Sequence, residues 1–195
     1  MVKTETDVID TLAGIAAGSR LDTLRTLRSE ARKHAQMSYL SLFEPNATGG
    51  VTAPERFAVA AFVAGLHGRP ETKDFYTARA PEALRSSLVA EVASATTKGP
   101  YGAYPKGPLS VEDTAGPLYR VAAGARDILG PRLASAFEHV HMLVFHPRDA
   151  APPSLQALLD AGWSTTDVVT LSQLVAFLSF QIRVVAGLRT LASQL

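Results

Sequence analysis

The sequence predicts an all-α fold, a helical bundle of two lobes sharing one core. Apolar residues recur at helical spacing in several long segments, and two capping boxes open apolar runs. No stretch alternates apolar with polar residues as a half-buried strand does.

Residues 7–17 give a short first helix. Residues 20–43 hold neither Gly nor Pro, and Leu21, Leu24, Leu27, Ala31 and Ala35 repeat at helical spacing, so one helix is expected there. Pro45 to Gly50 is a loop. Thr52-Ala-Pro-Glu55 reads as a helix start: Thr52 accepts from the Glu55 amide, and the Glu55 side chain reaches back to the Thr52 amide. That helix runs to about Leu66 and breaks at Gly68-Arg-Pro70. Shorter helices follow from Glu71 through Tyr76 and from Glu82 to about Ala95. These elements make an N-terminal lobe of about 1–95.

Residues 96–117 are irregular, since glycines and prolines interrupt any helix. Segments this long are commonly functional. The C-terminal lobe, about 118–195, starts with expected helices at 117–129 and 131–145, each with a proline in its first turn. A turn at His146-Pro147-Arg148-Asp149 leads to a helix at 154–161, closed by Gly162. Ser164 to Asp167 is the second capping signal and opens a last helix of about 165–192. Leu171, Leu174, Leu178, Ile182, Val185 and Leu188 form one apolar face of it. Val175, Phe177, Phe180 and Val184 carry the apolar surface nearly all round, so burial on most sides, or a homo-oligomer interface through Phe177 and Phe180, is expected. Gln173, Gln181 and Arg183 interrupt the run, so no membrane span is expected.

Composition narrows the function. The chain has 195 residues, 47% hydrophobic, with formal net charge +1. That balance gives no basic stripe for nucleic acid. No export signal is read at the N-terminus, so a cytoplasmic setting is expected. With no cysteine, the chain has no thiol nucleophile, disulfide or thiolate-bound metal.

The candidate site residues are few. Glu55 completes the capping box and is equally a candidate general acid/base. His67 sits near the C-terminus of the same helix, where the helix dipole favours a histidine. His139, His141 and His146 cluster as pocket candidates. His139 and His141 are two apart and face different ways on a helix, so no metal site is expected. Arg183, inside an apolar helix, is expected to meet a carboxylate or a helix C-terminus. No Gly-rich phosphate loop, GxSxG elbow or kinase signature is present, and no cofactor is expected.

The stretch PERFAVAAFVAGLHGRPETKDFY, residues 54–76, resembles the core helix of carboxymuconolactone decarboxylase-like proteins, which include the AhpD-type alkylhydroperoxidases. LLDAGWSTTDVVTLSQLVAFLSFQIRVVAGLRTL, residues 158–191, is similar to the last two helices of the family's peroxidase-related branch. The resemblance implies an AhpD-like bundle and homo-oligomers. The family's peroxidases place a Cys-x-x-Cys and a histidine after a glutamate. Counted from Glu55, those positions are His67, Pro70 and Asp74, so the glutamate alone survives. The decarboxylase branch places a histidine after a Gly-Arg turn; Gly68-Arg69 matches the turn, and the histidine position falls at Tyr76.

Three functions are compatible with these residues. The first is a non-thiol enzyme on a small organic acid or ketone, with Glu55 as acid/base, His67 or Tyr76 assisting, and a histidine such as His141 closing the pocket. The second is a catalytically silent, oligomeric binding or assembly protein of the same fold. The third is the peroxidase-related oxidoreductase that the family name implies.

Overall fold

The computed structural model describes residues 6–194, and these form nine α-helices. They are α1 (Val8–Ala13), α2 (Arg20–Thr26), α3 (Ser29–Phe43), α4 (Ala53–Leu66), α5 (Pro70–Thr77), α6 (Glu82–Ala95), α7 (Ala123–Phe145), α8 (Pro152–Asp160) and α9 (Thr165–Ala192). Extended pairing among the described residues is limited to one isolated bridge, Gly102 with Thr114. The fold is all-α, as the sequence predicts.

α4 occupies the centre. Every residue from Ala58 to Leu66 is buried, which a helix this rich in alanine tolerates because neighbours approach it closely on all sides. Gly65 is where α6 comes nearest: a Cβ there would lie 2.5 Å from Val92 Cγ1. Phe62 of α4 stacks on Phe137 of α7, with ring centroids 4.3 Å apart and planes 3° from parallel. α9 packs against α4, α1, α3, α7 and α8, so one core cluster runs from Val8 to Val185 and draws on both halves of the chain.

Both capping boxes form. Thr52 Oγ1 accepts from the Glu55 amide at 3.4 Å, and Glu55 Oε2 accepts from the Thr52 amide at 2.8 Å. Ser164 and Asp167 repeat the arrangement at the start of α9.

The expected helix over 20–43 is two helices. Arg28 takes non-helical angles between them, and the change of direction lets Arg25 of α2 and Arg32 of α3 both reach Asp10 of α1. Residues 117–122 are extended rather than helical. The Tyr119 hydroxyl donates to Glu91 of α6, and the Val121 amide donates to Glu138 of α7 at 3.1 Å, so the segment is anchored at two points outside a helix. α7 itself bends at Gly130, just before Pro131, which separates two helical pieces.

On α9 the expected face is buried, with Leu171, Leu174, Leu178, Ile182 and Val185 in the core. The opposite face is exposed within the chain: Val169, Gln173, Ala176, Phe180, Arg183 and Gly187 recur on it at alternating steps of four and three residues. By length and composition α9 would also reach across a membrane, and 44% of its most apolar window is buried inside the fold.

Candidate functional site

The second piece of α7 ends in Glu-His-Val-His and then the turn His146 to Asp149. Around it lies a pocket of about 370 Å³. α7 contributes Ser135, Glu138, His139, His141 and Met142. The turn adds His146 and Asp149, the start of α8 adds Pro153, Ser154 and Ala157, and the extended segment adds Leu118, Tyr119 and Arg120.

Two of the three histidines, His141 and His146, have a ring nitrogen held by a hydrogen bond. His139 and His141 lie about 200° apart around the helix, as residues two apart must. His139 lies beside Ser154 and Ala157 of α8, and its Nδ1 is buried with no hydrogen-bond partner among the described residues. His141 turns towards the end of α6, and its Nε2–H donates to the Ala95 carbonyl at 3.1 Å. Its ring stacks on Tyr119, with centroids 5.1 Å apart, and meets His146 edge-on at 5.6 Å. Burial, reinforced by the nearby His146, pushes the His141 pKa down to about 4. Burial also lowers that of His139.

His146 makes the most directed contact. Its Nδ1 lies 3.1 Å from Asp149 Oδ2, while Asp149 Oδ1 accepts from the Ala103 amide at 3.1 Å. An imidazole that donates Nδ1–H to a carboxylate presents Nε2 as a lone pair. That Nε2 is buried and, among the described residues, has no hydrogen-bond partner. Loop 97–114 holds Asp149 in place. Gly102 has φ +110°, and a Cβ on it would stand 2.9 Å from Asp149 Oδ1, so this approach requires glycine.

Glu138 accepts from Val121 N and pairs with Arg120 and Arg126. Burial and then the bond to Glu91 push the Tyr119 phenol far above its usual range, so it stays a neutral donor. Among the described residues no cluster of three or more His, Cys, Asp or Glu is placed to hold a metal ion.

Of the seven residues singled out from sequence, His139, His141 and His146 converge on this pocket, and the other four lie elsewhere. Glu55 is fully engaged: Oε2 takes the Thr52 amide and hydroxyl, and Oε1 accepts from Arg132 Nε at 2.6 Å. His67 forms the C-cap of α4, 3.3 Å from Ser179 Oγ, with its pKa pushed to about 4 by burial and then by Arg183 and Arg69. Tyr76 is wholly buried and donates to Gln181 Oε1 at 2.6 Å. Arg183 departs from its expected buried pairing: it stands on the exposed face of α9 and donates to Ser179 O, one turn back, at 2.7 Å. Sequence reasoning missed Asp149, Tyr119, Glu91 and Glu138. Asp149 alone had a local signal, since a carboxylate three residues after a histidine in a turn can reach its ring.

Protein-family models, curated proteins and solved structures were each compared with the chain, and nothing among them matches it.

Proposed function

We propose that the chain is a non-thiol enzyme acting by acid/base chemistry on a small organic substrate, a ketone or organic acid, with His146 as general base and Asp149 as its orienting carboxylate. The supporting observation is the buried, unpartnered Nε2 of His146, whose other ring nitrogen is tied to Asp149. A base must have its lone pair free and its tautomer fixed. Proton transfer from an acidic C–H to Nε2 makes an imidazolium, which the Asp149 carboxylate stabilises from the opposite side of the ring. The neutral Tyr119 phenol and the buried Met142 line the same pocket. In this reading Glu55 is structural. Membership of the carboxymuconolactone decarboxylase-like family and a cytoplasmic setting belong to the same proposal; the all-α fold, the capped α4 and the long α9 support the family.

The test is deuterium exchange of α-protons in a panel of small ketones and keto acids in D₂O. Wild type should catalyse exchange on at least one member. His146→Gln should lose about 100-fold or more, the ordinary scale of a general base. Asp149→Asn should lose less, and Glu55→Gln should keep the wild-type rate. A wild-type rate no higher than that of His146→Gln across the panel would end this reading.

An oligomeric binding or assembly protein is the second reading. It is favoured by the exposure of Val169, Ala176 and Phe180 along one face of α9. Light scattering should then give at least twice the chain mass, reduced by Phe180→Glu; a monomer at micromolar concentration contradicts it.

A further inference from the structure

The exposed face of α9 has an order that the chain's own packing does not explain. From Thr166 to Thr190 its exposed positions fall at steps of three, four, three, four, three, four and three residues. That is the 3.5-residue spacing of a helix seam covered by another helix. The series reads the same from both ends, so it is symmetric about Leu178. Its side chains are not those of a solvated face. Val169 is 56% exposed and Phe180 47%. Gly187 has no left-handed φ, and a Cβ on it would meet nothing within 4 Å. The chain's own fold therefore has no need of glycine there, and glycine inside a helix weakens it relative to alanine.

The symmetry of the stripe says what covers it. Two copies of α9 laid antiparallel about Leu178 set Phe180 on Ala176, Val169 on Gly187, Gln173 on Arg183 and Thr166 on Thr190. Each pair then occurs twice, as a two-fold axis demands. Each large apolar side chain meets a small residue, which lets the facing helices interdigitate. Gln173 offers a carbonyl to Arg183, whose bond to Ser179 O leaves other guanidinium N–H groups to donate. Other arrangements of two copies fit worse. A parallel pair sets Arg183 against Arg183, and like charges face to face are repelled. An antiparallel pair slid by one heptad in one direction sets Ala176 on Gly187, small on small, and Val169 beyond the end of the partner helix. Slid the other way, it sets Val169 on Phe180, large on large, and Gly187 beyond the start of that helix.

We infer that this face is the interface of a two-fold dimer, in which α9 pairs antiparallel with α9 of a second copy about Leu178, with Phe180 packed on Ala176 and Arg183 bonded to Gln173 of the other chain. This rests on the oligomeric reading and gives it a subunit number, an orientation and a register. It is independent of the acid/base chemistry.

Light scattering on the full chain should give twice the chain mass. Gln173→Lys places a lysine against Arg183 of the second copy and should weaken the dimer about tenfold or more. Adding Arg183→Glu should restore it. Within one chain the two positions are about 15 Å apart along the helix, so the rescue needs the second copy. Both side chains are exposed, and circular dichroism should show the fold unchanged. Because the chain has no cysteine, a nitroxide on Thr166→Cys or on Thr190→Cys reports its own site alone. Pulsed electron resonance should give each site a separation of about 36 Å from its copy, the rise over the length of the stripe. An equal mixture of the two labelled chains should add a distance under about 20 Å. Short same-site distances mean a parallel pair, and unequal ones of about 26 and 46 Å mean a slip of one heptad; either overturns the inference. So does a loss with Gln173→Lys that Arg183→Glu does not rescue. A dimer unchanged by Gln173→Lys and by Phe180→Glu also overturns it, and leaves the oligomeric reading standing through another face. A monomer at micromolar concentration, whether or not it binds lipid vesicles, overturns both.

Discussion

Arg132→Met is expected to lower the unfolding free energy by about 2–4 kcal/mol at pH 7. The guanidinium joins three parts of the chain. Nε donates to Glu55, Nη1 to the Gly162 carbonyl, and Nη2 to the Gly50 carbonyl and to Asp167 at 3.3 Å. Its face lies over the Trp163 ring, 4.2 Å from the centroid. Methionine keeps most of the stem's volume and removes every donor. Breaking a fully buried pair costs about 3–5 kcal/mol, and the lower range here reflects the water reaching a quarter of the Arg132 side chain. The effect should depend on pH. Burial tends to raise the Asp167 pKa, but hydrogen bonds from Ser164 and Arg132 prevail and hold it below the usual carboxylate value. A depressed folded pKa stabilises above the unfolded value of about 3.9, and that stability is lost as pH falls through the folded value. Urea titrations of both proteins at pH 7, 4 and 3 should therefore show the gap narrowing with acid. A gap under about 1 kcal/mol at pH 7 would mean that the Arg132 contacts are no more than surface pairs.

The same arginine shows where sequence reasoning ends. The two caps it joins are each contained within four residues, so Thr52 with Glu55 and Ser164 with Asp167 are legible from spacing alone. Arg132 lies 77 residues beyond Glu55, and no local pattern links them. Glu55 itself is legible as a cap and as an acid/base together, because both roles need a carboxylate and only the tertiary partner separates them. The first six residues of the helix expected at 117–129 are not helical for a similar reason, while 123–129 are helical as expected. Proline permits a helix start without requiring one, and the anchors on Tyr119 and Val121 come from α6 and α7. The expectation for Arg183 rests on the composition of its helix. Its outcome depends on which face of α9 the rest of the chain leaves open, and an average over all faces does not contain that information. The histidine cluster is visible in the sequence as a cluster. Its chemistry is not, since the tautomers of His141 and His146 are set by the Ala95 carbonyl and Asp149.

Phe62→Ala should be the most damaging single core substitution of its size, at about 3–5 kcal/mol, the range for emptying a buried phenylalanine site. Phe62 has no exposed surface and lies at the crossing of α4 and α7, stacked on an equally buried Phe137. Both helices are held along their lengths by other contacts, α4 by α5, α6 and α9, and α7 by α6, α8 and α9. Neither can close onto the gap without disturbing those contacts, so the cavity term should stay near its full value. For a chain of this length the melting temperature should fall by about 6–20 °C. Phe62→Leu retains most of the volume and should cost no more than about 1.5 kcal/mol. The lesion should also reach the pocket. Tyr119 leans on Phe62 at 5.7 Å between centroids and stacks on His141 from there. With Phe62 gone, the Tyr119 ring loses one supporting side, and the His141 ring resonances should broaden or shift, while those of His67, whose partner is Ser179 on α9, should not. Thermal unfolding and a histidine-selective NMR spectrum of the same variant test both parts. A loss below about 2 kcal/mol would show that α4 and α7 can repack around the void, and an unchanged His141 signal would separate the core from the pocket it borders.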